Sequence, residues 1–204
     1  MNPIFLQIFP HNTPHHWQRL EQAYRGEFDD LPHERHYHTM GHVIDMLSIL
    51  SRVKMEQPDR LYAQGSIFYH DAIYLHKQGG SEQASAKWMR NELGQDYPLE
   101  LLEQLELGIL ATDHTADVAK FPYWAKIVHD IDLARLADNS VFVANRDKVR
   151  KEYGFVSDKQ FCDGQRKFFG KLMEKPLFFT VEFGKYEQSA RENLQRWIME
   201  RTPA

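Results

Sequence analysis

The chain has 204 residues and one cysteine, Cys162, so no internal disulfide can form. A lone thiol suits a reducing setting, and the expectation is a cytoplasmic protein. Long apolar runs are also missing, since no stretch approaches the ~20 residues a membrane-spanning helix needs. Met1 to Pro10 contains Ile4-Phe5-Leu6 but no basic flank, and Pro10 cuts it short, which makes a poor signal peptide. Positive charge is not in excess: the formal net charge is −4. That balance excludes an extended nucleic-acid surface, because phosphate contacts need clustered Lys and Arg. It leaves room for a small phosphorylated substrate, since a metal can bring local positive charge. Internal repeats, low-complexity tracts and linker-like stretches are all absent. One domain over residues 1–204 is the simplest account.

What is present reads as helix. Thr13-Pro14 sets an N-cap before a helical proline, and Trp17, Leu20 and Tyr24 then share a face. Ser81-Glu82 follows Gly79-Gly80 and opens a helix running to about Gly94. Pro98 starts another, carrying Leu101, Leu102, Leu105, Ile109 and Leu110. A turn at Phe121-Pro122 leads into helix from Tyr123 to Ala137, and Ser157 with Gln160 forms a capping-box pattern. The last helix is expected from about Glu182 to Glu200. Leu177 to Val181 has strand-like composition, but an apolar loop over the core is the preferred reading. The fold class is therefore all-α, a single helical bundle.

The chemistry concentrates in His42, the pair His70-Asp71, and Asp130. Apolar helical periods run through Val43, Met46, Leu47 and Leu50, and through Leu61, Ile67 and Phe68, with a turn around Pro58 between them. His42 to Val53 and Asp59 to His70 are legs of eleven steps each, roughly 17 Å at helical rise, so a hairpin returns His70 to the level of His42. Placing His70-Asp71 after the apolar run Ile67-Phe68-Tyr69 is costly unless an ion compensates. Imidazole nitrogen with carboxylate oxygen suits a divalent cation: Mg, Mn, Fe, Co, Ni or Zn, one or two per site. Asp132 rivals Asp130. Two apart on a helix, they point about 200° apart, so they do not both reach one ion.

Tyr37-His38-Thr39-Met40-Gly41-His42-Val43, followed by Tyr69-His70-Asp71, resembles the HD superfamily of metal-dependent phosphohydrolases, and most of all its small bacterial branch. The opening motif is also similar to that of cyclic-nucleotide phosphodiesterases. Ser81-Glu82 with Ser85-Ala86, Asp130 to Leu133, Arg150 to Tyr153 and Ala190 to Leu194 extend the resemblance over most of the chain. It implies an HD-type helical bundle with His42, His70, Asp71 and Asp130 as metal ligands. His38, four residues before His42 and expected on the same helical face, is implied as the acid that protonates the leaving group. Asp71 would also hold the nucleophilic water, and Asp132 would orient a ligand or meet solvent. His114 is a candidate for binding phosphate oxygen or completing a second metal site. Arg35 and Glu82 are further substrate-binding candidates, the first for a phosphate and the second for positioning water.

The implied activity is metal-dependent hydrolysis of a phosphate ester or anhydride of a small molecule, with a nucleotide among the candidates. Two other classes stay open: a di-iron HD-type oxygenase, which needs further histidine ligands, and a non-catalytic ligand-sensing module. Exposed apolar residues near the carboxyl end would permit a homodimer. His129 is read as structural, His11, His15, His16, His33, His36 and His76 as surface or loop histidines, and Phe168, Phe169, Phe178 and Phe179 as core.

Overall fold

A helical stretch with no charged side chain on any face is suited to being surrounded, and Gly65-Ser66-Ile67-Phe68-Tyr69 is such a stretch. This computed structural model describes residues 1–32, 34–77 and 79–200; His33 lies outside the described residues. Among the described residues ten α-helices follow in order: α1 (Pro3–Ile8), α2 (Thr13–Tyr24), α3 (Met40–Leu50), α4 (Asp59–Tyr69), α5 (Ser81–Leu93), α6 (Leu99–Ala111), α7 (Tyr123–Leu133), α8 (Asn139–Glu152), α9 (Asp158–Leu172) and α10 (Glu187–Glu200). No strand occurs among the described residues, as the helical reading of the sequence anticipates. No described helix is long and apolar enough to cross a membrane.

Helix α4 is the hub. It packs on α6, α7, α3 and α1, and buries Ala63 and the whole run Gly65 to Tyr69. Two glycines let α4 and α6 approach closely. A Cβ on Gly65 would lie 2.5 Å from Leu105 Cδ2, and one on Gly108 would lie 2.2 Å from Ser66 Oγ and 2.7 Å from Trp124 Cζ3. The Ser66 hydroxyl sits between the carbonyl oxygens of Tyr62 and Leu105, at 2.8 and 3.0 Å. Helix α1 plugs the amino-terminal side with Phe5, whose ring meets Phe68 edge-on at 5.1 Å. The sequence reading assigned no such role to Ile4-Phe5-Leu6.

Several boundaries move. Asn12, in the left-handed region at φ 50°, takes the cap position of α2, because the Thr13 hydroxyl donates back to the Phe9 carbonyl. The box at Ser157 forms as expected: Gln160 N donates to Ser157 Oγ at 3.3 Å and Ser157 N to Gln160 Oε1 at 3.0 Å. Residues 177–181 are loop, and α10 starts at Glu187 rather than Glu182, behind a 3-10 turn at Gly184–Tyr186. Helix α7 ends at Leu133, and a 3-10 turn continues to Ala137.

Candidate metal centre and cavity

The α3–α4 hairpin does bring its histidines together. His42, in the first turn of α3, and His70, just past the end of α4, have ring centroids 5.2 Å apart, and both are buried. His70 Nδ1 is 2.9 Å from the Ile67 carbonyl oxygen, which can only accept, so that nitrogen carries a proton, and Nε2 is the nitrogen left to ligate a cation once its own proton is displaced. His70 Nε2 is enclosed, lies 3.0 Å from Asp71 Oδ2, and has no well-formed hydrogen bond. His42 Nε2 stands 3.0 Å from Asp132 Oδ1 and 4.0 Å from Asp71 Oδ2. Ligand atoms of His42, His70 and Asp132 all lie within 4.8 Å of one another, a nitrogen–oxygen set that could hold a metal ion.

The electrostatics fit a cation-binding point. Burial lowers the pKa of His70, but Asp71 and Asp132 more than reverse this and raise it to about 9. Burial raises Asp132, yet His42, His70 and His114 bring it down to about 2. Asp71 is lowered as well, its burial outweighed by His70, His38 and His42. Two carboxylates are thus kept ionised beside two imidazoles at one buried point.

The expected ligand Asp130 is not in this group. Its carboxylate, fully buried, accepts Phe179 N at 2.9 Å, Thr180 N at 2.8 Å and Thr180 Oγ at 2.6 Å. Asp130 therefore ties α7 to the loop 177–181, and Asp132 faces the histidines. The helical arithmetic that separates the two was sound. The resemblance implies Asp130, whereas the structure places Asp132 beside the histidines, and no sequence signal shows that the 177–181 loop supplies donors.

His38 is not on α3, which starts at Met40; it lies in the bend before the helix. Its Nδ1 is 2.7 Å from Glu152 Oε2, and its ring stacks on Tyr74 at 4.2 Å. The other oxygen of Glu152, at the end of α8, accepts the backbone N–H groups of His36, Tyr37 and His38 at 2.7, 2.7 and 2.9 Å. Burial lowers the His38 pKa, and the Glu152 charge and hydrogen bond override it, holding His38 above an ordinary histidine. Glu152 is correspondingly lowered to about 2, against its own burial. Nothing in the sequence pairs positions 38 and 152, so this partner escaped the sequence reading.

Arg35 contacts neither solvent nor the cavity. Its guanidinium is buried on Asp29 (Nε to Oδ2, 2.8 Å) and donates to the carbonyls of His38, Asp71 and Ala72 at 3.2, 2.6 and 3.1 Å. It fastens the segment before α3 to the end of α4, which corrects its expected role as a phosphate contact. Five donors in a rigid plane suit that bracing.

A cavity of about 600 Å³ opens beside the cluster, and His38, Asp71, Glu82, His114 and Asp132 all line it. Burial first, then Asp71, Asp113 and Asp132, raise Glu82 to about 7, so it exchanges a proton near neutrality. His114 Nε2 lies 3.6 Å from Asp132 Oδ2, and burial lowers its pKa. His129 behaves as expected of a structural residue, donating Nδ1–H to the Ala111 carbonyl at 2.9 Å. His16 and His76 are buried rather than superficial, on Asp96 at 2.8 Å and Asp30 at 3.2 Å respectively. Phe169 and Phe178 belong to the core, whereas Phe168 is exposed on the cavity rim.

No protein-family model, no curated protein and no solved structure matches the chain.

Proposed function

We propose that this protein is a metal-dependent phosphohydrolase that cleaves a phosphate ester or anhydride of a small molecule, a nucleotide being one candidate. The observation that carries this reading is a buried cluster of imidazole and carboxylate groups at the wall of a cavity that is also lined by His38, whose Nδ1 is held by Glu152 behind it. Metal binding fits on two grounds. The enclosed His70 Nε2 lacks a proper partner, and the donor set is that of first-row divalent ions or Mg. His42, His70 and Asp132 would hold the ion, with Asp71 beside them. When bound, a divalent cation polarises phosphoryl oxygens and promotes ionisation of water.

The chain's own groups do the rest. Asp71 accepts a proton from the attacking water as its oxygen bonds to phosphorus. His38, its Nδ1 engaged by Glu152, gives the proton on Nε2 to the departing oxygen as the phosphorus–oxygen bond breaks. Positioning and charge neutralisation dominate phosphoryl transfer, and no covalent nucleophile is needed.

One observation favours keeping a second reading. The proximity of His114 to Asp132 puts a third imidazole near the cluster, as a di-iron oxygenase would require. Elemental analysis of purified protein, then a phosphorylated-metabolite screen with Mn, Mg, Co and Ni, separates the two. A colourless sample with no near-ultraviolet charge-transfer absorption removes the oxygenase. Absence of any bound or bindable divalent metal removes both.

A further inference from the structure

Arg146, on α8, lines the same cavity but has no part in the mechanism above. Its Nη1 donates to Gln165 Oε1 at 2.7 Å, while its Nε is enclosed and without a hydrogen-bond partner. Among the described residues no carboxylate reaches ion-pair distance. Arg19, Arg35, Arg90 and Arg135, by contrast, each hold one. Its Cζ lies 5.9, 5.9 and 5.6 Å from the ring centroids of Tyr37, Phe142 and Phe169. Aromatic faces soften the cost of a partly buried cation without a carboxylate partner but satisfy none of its donors. Burial lowers the pKa of this guanidinium, as expected of a cation lacking its counter-ion.

The position matters as much as the vacancy in its hydrogen bonding. Tyr37 neighbours both Arg146 and the cluster: Arg146 Cζ is 5.9 Å from its ring centroid, and its ring is 4.9 Å from that of His42. Arg146 therefore lines the same cavity as Asp71 and Asp132, with Tyr74, Tyr153 and Phe168 also in its wall. We propose that Arg146 anchors a second oxyanion of the substrate, a phosphate or carboxylate remote from the bond that is cut, with Gln165 orienting the guanidinium fork. This inference rests on reading the cavity as the substrate site. It makes the substrate a molecule with two anionic ends and an apolar or ring-bearing body between them.

The test uses the full chain labelled with 15N-arginine. The Arg146 Nε–H resonance, assigned by its loss in Arg146→Lys, is followed while inorganic phosphate, and separately acetate, is added. The expected result is a saturable shift with one or both anions, which also tells phosphate from carboxylate. Calorimetric titration of the same anion, which does not depend on that resonance, should show affinity lower by roughly tenfold or more in Arg146→Met and in Arg146→Lys, because a charged bidentate contact is lost. Asp132→Ala, which breaks the metal-ligand group, should leave the shift intact, so failure of the metal reading is distinguishable from failure of this one. A resonance that moves with neither anion overturns the proposal. Binding retained within twofold in Arg146→Met overturns it as well.

Discussion

Glu152→Gln keeps the size and shape of a buried side chain while removing its charge. A carboxyl held at about 2 against an ordinary 4.5 represents roughly 3 kcal/mol of stabilisation of the ionised native state. A second route gives a similar figure. The amide oxygen can still accept three backbone N–H groups, but the charge-assisted bond to His38 is lost and the other bonds weaken to neutral strength, for about 2–4 kcal/mol together. With a urea m-value near 3 kcal/mol/M for a chain of this size, the midpoint should fall by about 1 M at pH 7. The sign with pH follows from the lowered carboxyl. Its contribution is complete above about 4.5 and fades as pH falls toward 2. The gap between parent and variant should therefore close over that window. The same samples report His38 by NMR titration. Without the Glu152 charge, burial and the Arg35 charge are opposed only by Asp71, and the imidazole should titrate below its present raised value and lose its proton-donating role at neutral pH. A midpoint within about 0.2 M of the parent, together with an unmoved His38 titration, would refute the claim that Glu152 organises this end of the site.

Asp132→Ala should weaken divalent-metal binding by at least an order of magnitude in calorimetric titration. Asp130→Ala should keep the metal and instead lose roughly 2–4 kcal/mol of stability by stranding the Phe179 and Thr180 donors; the opposite pattern would restore Asp130 as the ligand. His38→Ala should slow hydrolysis of an alkyl phosphate by about a hundredfold or more and of an activated aryl phosphate far less, and equal slowing contradicts the acid role. In the parent, the alkaline limb of the rate profile should lie above the titration of an ordinary histidine, because Glu152 holds His38 protonated to higher pH. Gly108→Ala should cost about 1–3 kcal/mol in urea unfolding, since the added carbon meets Ser66 and Trp124; an unchanged midpoint would mean that α4 and α6 separate freely.

The helical class, most helix positions and the α3–α4 hairpin were legible in the sequence, because apolar periodicity, caps and breakers act over a few residues. The hairpin distance between His42 and His70 followed from helical rise alone, and so did the mutual exclusion of Asp130 and Asp132. Tertiary structure decided what pattern could not. Asp130 faces a loop that donates hydrogen bonds and Asp132 faces two imidazoles, although neither partner leaves a mark near residue 130. Arg35 is a brace because two carbonyl oxygens from distant positions, those of Asp71 and Ala72, converge on it together with that of His38. Glu152 and Arg146 are six residues apart on α8, about one and two-thirds turns, yet one is fully paired and the other has no carboxylate, a difference set by what the packed neighbours offer. Local rules place a residue on an element, whereas the chemistry of a buried charge depends on which donors and acceptors the rest of the chain brings to it.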